Sequence, residues 1–183
     1  MPVINLPPMM KTIIGDLDKR IRKLEQSPDK RPYGEFYDTT NQTASVTTSS
    51  FPVAINTTAE ANYMTLDANA ITVQRTGVYL ITISVQWTNS NPADFDAELW
   101  PQLNGVDIPW SNSRFSVPGT HGGVNGHAIG MVSYIQSLTA GQSVSFRWRV
   151  ESTTVSILSQ TGLTSPTRPN IPGVLVTLNE FAW

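Results

Sequence analysis

Cysteine is absent from this 183-residue chain, which excludes a disulfide framework and any thiolate metal site and leaves stability to packing. Lysine disappears after Lys30, and only 14% of the chain is charged, against roughly a quarter in ordinary soluble domains. Ser, Thr, Asn and Gln fill the deficit, so the surface is polar but uncharged. No stretch approaches the ~18 consecutive apolar residues of a membrane-spanning helix. The segment "MPVINLPPMM" has no basic region followed by a continuous apolar run, so no secretory signal is expected and the sequence reads as a soluble protein.

The charges are divided unevenly. Residues 1–32 carry Lys11, Lys19, Arg20, Arg22, Lys23, Lys30 and Arg31 against Asp16, Asp18, Glu25 and Asp29, a net +3, whereas residues 33–183 hold five Arg against ten acids, a net −5. A negative region without basic clusters argues against nucleic-acid binding, because phosphate contacts need Lys and Arg in numbers. The length suits one domain with an appendage and is too short for two full cores.

Residues 1–11 include Pro2, Pro7 and Pro8 among the apolar Val3, Ile4, Leu6, Met9 and Met10. Proline at this density resists helix, so an extended arm is expected, anchoring the chain to other proteins of a larger assembly. A helical period follows over residues 12–27. Met10, Ile14, Leu17, Ile21 and Leu24 are spaced four, three, four and three, an a/d seam with Ile at a and Leu at d. Two heptads are marginal in isolation, which leaves open a single amphipathic helix lying on the head. Arg20 at g and Glu25 at e favour a coiled coil, since they can pair across the seam. "RIRKLE" at residues 20–25 also resembles the short trimerisation motif of three-stranded coiled coils. Ile at a with Leu at d leans instead towards dimers, so the head is expected to decide the stoichiometry. "SPDKRP" ends the helix, with Pro28 and Pro32 making residues 28–32 a neck.

From residue 33 the chain reads as strands between turn clusters. "YGEFYDTT", "TASVTTS" and "FPVAINTT" are the first candidates. Alternation of Ile71 and Val73, a turn at residues 75–77, and then Tyr79, Ile81, Ile83, Val85 and Trp87 predicts a hairpin. A second hairpin turns on Asn104-Gly105. A third turns on Ala140-Gly141, with Val144, Phe146, Trp148 and Val150 on one face, and "GVLVTLNEFAW" closes the chain as a strand. Many short strands without intervening helix predict an all-β antiparallel sandwich or barrel for residues 33–183.

Several local motifs carry a resemblance. Tyr33, Phe36 and Tyr37 form an aromatic strand near the neck. Gly77, Tyr79, Ile81 and Ile83 follow the pattern Gly-x-Tyr-x-apolar-x-apolar. Leu103, Asn104 and Gly105 make an "LNG" hairpin, Leu138, Gly141 and Val144 an L-x-x-G-x-x-V pair, and Gly173, Val174 and Leu175 a closing Gly-apolar-Leu strand. In these features residues 33–183 resemble the jelly roll shared by tumour necrosis factor and the globular heads of complement subcomponent q. The resemblance implies a jelly-roll sandwich and a tight homotrimer. A trimeric jelly roll behind a short coiled coil and an apolar arm also looks like bacteriophage virion proteins: tail-fibre knobs, minor tail proteins and head decoration proteins.

Candidate chemistry is sparse. His121 and His127 share the Gly-rich loop "PGTHGGVNGH", as surface residues or as ligand contacts; two ligands are too few for zinc. Asp94, Asp96 and Glu98 at alternate positions aim three carboxylates to one side of an extended segment, a solvated acidic face or a weak calcium candidate. Carboxylates on one strand do not oppose each other across a cleft as glycoside hydrolysis requires, and no Ser–His–Asp set can be argued, so no enzyme and no cofactor are expected. In "DIPWSNSRF", Trp110, Arg114 and Phe115 lie among Asn and Ser, a mixture that binds sugars or proteins; the alternative is that Trp110 packs beneath its own loop or at a subunit interface. The expectation is a homotrimeric virion structural protein, assembled in a host cytoplasm, whose head is a tail-associated adhesin for a host surface glycan or protein. A capsid decoration protein without a receptor is the alternative, and a cytokine-type trimeric ligand is a weaker third.

Overall fold

The computed structural model describes residues 7–25 and 31–182, in two units that divide between Lys30 and Arg31. The first unit is helix α1 (Pro8–Glu25). It begins four residues before the expected start, so Met9 and Met10 belong to helix rather than to an extended arm. Proline explains the difference: at the first helical position its missing N–H is not needed and its fixed φ is already helical. The Lys11 N–H donates to the Pro7 carbonyl at 3.1 Å and the Thr12 hydroxyl to the Pro8 carbonyl at 3.2 Å. Val3, Ile4, Leu6 and neck residues 28–30 lie outside the described residues. Met10, Ile14 and Leu17 do share one face, and they are 53%, 50% and 50% exposed.

The second unit is built of antiparallel strands. In its first half they are β1 (Tyr33–Asp38), β2 (Gln42–Thr43), β3 (Phe51–Pro52), β4 (Thr57–Asn62), β5 (Met64–Asp67), β6 (Ala70–Val73), β7 (Gly77–Asn89) and β8 (Phe95–Leu103). The second half comprises β9 (Val106–Asp107), β10 (Ser113–Val117), β11 (Gly126–Leu138), β12 (Ser143–Val150), β13 (Val155–Ile157), β14 (Leu163–Thr164), β15 (Thr167–Arg168) and β16 (Val174–Ala182). One sheet runs β11-β7-β16-β1-β4, with β13 and β2 extending it beside the end of β7. The other runs β10-β8-β12-β6-β5, with β3 on β12 and β9 on β8. The eight principal strands therefore stand four to a sheet as β11-β7-β16-β1 and β10-β8-β12-β6, the arrangement of a jelly roll.

Two expected hairpins are instead crossings between sheets. β6 and β7 lie in different sheets, as do β11 and β12. The period-two pattern is the same either way, because a strand that crosses over presents its apolar face to the same core from the opposite side. The hairpin partner of β6 is β5, through a turn in which Ala68 and Asn69 have φ of 46° and 66°. The Asn104-Gly105 hairpin is present, with both residues at positive φ as a type I′ turn requires. "TASVTTS" is largely irregular, and "FPVAINTT" is divided between β3 in one sheet and β4 in the other.

Between the sheets lie Tyr79, Ile81, Ile83, Val85 and Trp87 of β7, Val174, Val176 and Leu178 of β16, and Val144, Phe146, Trp148 and Val150 of β12, all buried. Trp87 meets Trp148 across the sandwich with ring centroids 5.8 Å apart and planes inclined at 50°, a geometry that adds about 0.5–1.5 kcal/mol to the burial itself. Gly130 on the neighbouring β11, paired with Val85, makes room, since a Cβ there would strike the Trp87 indole.

At the other end of β7, Tyr79 is fully buried and its hydroxyl donates to the Arg75 carbonyl at 2.7 Å. Burial and the nearby Glu180 carboxylate push its pKa up to about 12, against a smaller opposing effect of Arg75. The folded protein thus holds this proton more tightly than the unfolded chain, whose tyrosine titrates near 10. Stability from this group is complete below that value and is lost as pH rises towards about 12. The pKa values of Tyr33 and Tyr134 are also raised, so absorbance titration of tyrosinate should show several late ionisations, and Tyr79→Phe should remove the one that coincides with unfolding.

Candidate functional site

The outward face of the β8 sheet concentrates the charged residues of the head. Alternation on β8 buries Ala97 and Leu99 and turns Asp96, Glu98, Trp100 and Gln102 the other way. Register then sets Glu98 between Arg114 on β10 and Arg149 on β12. The Arg114 guanidinium lies 2.9 Å from Glu98 Oε1, 3.3 Å from Asp96 Oδ2 and 3.7 Å from Glu151 Oε1. Arg149 lies 3.7 Å from Glu98 Oε2, to which Asn112 Nδ2 donates at 3.1 Å. Burial raises the Glu98 pKa, but hydrogen bonds from Asn112 and Arg114 and the attraction of both guanidinium groups outweigh it, so the net shift is downward.

Beside this cluster a cleft of about 270 Å³ is lined by Trp100, Asp107, Ile108, Trp110, Ser111 and Asn112. The Asn104-Gly105 turn folds β9 back along β8, so that Asp107 faces Gln102. Trp100 Nε1 and Gln102 Nε2 donate to Asp107 Oδ1 at 2.8 and 2.7 Å. These bonds, Gln102's first, hold the Asp107 carboxyl below its ordinary value, so it stays ionised and acts as acceptor only. The loop after β9 is pinned by three hydrogen bonds: Ile108 N–H to Pro101 O at 3.2 Å, Ser111 Oγ to Ile108 O at 2.7 Å, and Tyr134 OH to Ser111 O at 3.1 Å. Trp110 sits on this loop at φ +63° with its side chain fully exposed. A bulky residue in the left-handed region costs roughly 1–3 kcal/mol and persists only where its surroundings impose it. Trp110 therefore does not pack beneath its own loop.

The other candidates fall elsewhere. Phe115 is turned inward by the alternation of β10 and packs partly buried against the core at Trp87, centroids 6.3 Å apart. Arg114 is exposed next to the cleft, joined to it through Asn112 and Glu98. His121 closes a tight turn by exchanging backbone hydrogen bonds with Val124, and His127 is the second residue of β11, opposite Thr88; neither lines the cleft. The calcium candidate is corrected: Asp94 precedes β8 and accepts from the Gly119 N–H at 2.7 Å, while Asp96 and Glu98 face guanidinium groups. Among the described residues no three His, Asp or Glu side chains gather as a metal site. Of the helical candidates, Ile14, Leu17 and Arg20 are exposed, and Ile21, Leu24 and Glu25 continue α1. Trp100, Asp107 and Asn112 were not among the expected site residues. The signal for the first two was present, since a two-residue turn at Asn104-Gly105 fixes Gln102 opposite Asp107 and puts Trp100 on the same face.

These elements define an antiparallel β-sandwich with a small aromatic and acidic cleft on one outer face. The chain matches no protein-family model and no curated protein sequence.

The depressed pKa of Glu98 sets a sign for acid stability. Its contribution is complete above the ordinary carboxylate value and disappears as pH falls through the lower folded value. Glu98→Gln should flatten the acid limb of a thermal-melting series. Arg114→Ala should lower stability, because Glu98 Oε1 loses its guanidinium partner while Arg149 and Asn112 remain at Oε2, measured by urea unfolding at neutral pH.

Proposed function

We propose that this protein is a homotrimeric structural component of a bacteriophage virion, attached through its N-terminal region, whose jelly-roll head displays the Trp110 loop as a tail-associated recognition surface for a host cell. The observation that carries the reading is the uncovered seam of α1. An 18-residue helix is marginal alone in water, yet Met10, Ile14 and Leu17 lie exposed along one side with Ile13 beside them. Ile13 occupies a g position, and apolar residues at a, d and g make a stripe wider than the strict two-position seam. Such a stripe suits a helix with more than one neighbour, and Arg20 supports the three-stranded motif to which it belongs.

The head supports self-association independently. Ile129, Met131 and Ile135 project from the outer face of β11 at 65–68% exposure, and Leu80, opposite Ile135, and Phe181 add to the same face. Apolar side chains grouped in this way mark interaction surfaces. The strand orders support the resemblance to tumour-necrosis-factor-like and complement-type heads, which associate in threes. The sequence layout of apolar arm, short coiled coil and cysteine-free sandwich supports the virion reading. A binding role is favoured over a catalytic one because the acidic cluster of the head is tied to guanidinium groups.

Light scattering coupled to size exclusion should give three times the 20.1 kDa chain mass. Ile14→Asn should weaken the trimer by tenfold or more, since it puts a polar group into an apolar seam. A monomer at micromolar concentration would sink the proposal. Purified trimer should bind host bacteria, and Trp110→Ala should abolish that binding while leaving the trimer intact; unchanged binding would remove the Trp110 loop from this role.

A further inference from the structure

We infer that the Trp110 cleft takes a neutral oligosaccharide, one pyranose ring stacked on the Trp110 indole and a neighbouring ring seated past the Asp107 and Ile108 wall. The inference rests on the reading of the Trp110 loop as the recognition surface and adds the chemistry of what is recognised.

Three observations converge on that ligand. The first is the indole itself, fully exposed and held at positive φ by a pinned loop. The pinned loop imposes that backbone, yet no described residue packs on the indole, so its face is free for a flat ligand, and a rigid platform loses little entropy on binding. The second is the polar inventory. Asp107 receives both of its hydrogen bonds at Oδ1, and among the described residues none reaches Oδ2. Asn112 donates one N–H to Glu98, which leaves its carbonyl oxygen as an acceptor and its second N–H as a donor. An ionised carboxylate and an amide oxygen beside an aromatic face call for hydroxyl donors on a ring with an apolar side. They disfavour phosphate or sulfate; no cationic residue lines the cleft, and the nearby Arg147 is already engaged electrostatically with Asp107.

The third observation is length. A second cleft, also about 270 Å³, is lined by Leu103, Val106, Asp107, Ile108, Pro109 and Gln136 and so shares Asp107 and Ile108 with the first. Each falls below the roughly 300–1,000 Å³ of a pocket that encloses a whole small molecule. Two open depressions with a common wall suit successive units of a chain. The second is mainly apolar with one amide, as the C–H face of a sugar requires. A quaternary ammonium ligand would also use an indole and a carboxylate, but it gains most when desolvated in an enclosed cage, and both clefts are open.

The test is native electrophoresis of the full chain through gels cast with dextran, soluble starch or glycol chitin. Wild-type protein should be retarded in at least one of them. Trp110→Gly is the decisive variant because glycine relieves the positive φ. Its melting temperature should rise while the apparent affinity falls at least tenfold, a combination that a purely structural role of Trp110 would not produce. Asp107→Asn should weaken retardation severalfold, and Trp110→Phe should retain part of it. Absence of retardation in all three gels overturns the inference, as does retardation unchanged by Trp110→Gly. Quenching of tryptophan fluorescence by choline chloride without retardation overturns it in favour of a cation. Wild-type protein that binds host cells but none of the polysaccharides refutes the ligand class and leaves the recognition role standing. Retardation without cell binding separates the two in the other direction.

Discussion

The contact of β7 with β12 across the sandwich is the constraint on which the head depends. Tyr79, Ile81, Ile83, Val85 and Trp87 meet Val144, Phe146, Trp148 and Val150, every one of them buried. Without cysteine, this apolar layer and the backbone ladders beside it must offset the conformational entropy of ordering the chain. It also dictates what faces outwards. Because successive residues alternate, the burial of Ala97 and Leu99 on β8 places Glu98 and Trp100 on the solvent side. The cleft and the ion-pair row are therefore consequences of how the core is packed, and their positions are as rigid as the strands that carry them.

That rigidity bears on the strained loop. Trp110 sits on a short connection between β9 and β10, tied to Pro101 of β8 and Tyr134 of β11. The loop is thus fastened to both sheets. A positive φ at a bulky residue persists because neighbouring hydrogen bonds leave the backbone no cheaper path. The ion pairs beside it contribute more to orientation than to stability, as exposed guanidinium–carboxylate contacts add about 0–1 kcal/mol each. Glu98, nearly buried and reached by Arg114, Arg149 and Asn112, is the member that fixes where the others point.

Much of this was legible before the fold was known, and the failures share a cause. Alternation named the buried face of β7 and of β12 residue by residue, and Asn104-Gly105 announced its turn. Pairing was harder to read. The connections from β6 to β7 and from β11 to β12 look like hairpins because periodicity reports which side of a strand is apolar and says nothing of which sheet it joins. Phe115 is hard to place for the same reason, since an aromatic among Asn and Ser reads as surface until register turns it towards Trp87. The helix start is hidden in the sequence because proline, a breaker inside a helix, stands here at the one position where it begins a helix. The cleft eluded sequence reading because Trp100, Asp107 and Asn112 converge through strand pairing and not through proximity along the chain.

The place of β16 has a consequence for synthesis. It follows the other fifteen strands in sequence, yet it lies between β7 and β1 in the middle of its sheet. Until it arrives, those two strands face an empty lane with unpaired backbone on both sides. A chain on the ribosome therefore cannot close its sandwich early, and a prematurely terminated copy keeps two sticky edges. Only a chain that includes β16 can present a sealed sheet, so the seal of this sheet waits on a strand far along the chain from β1.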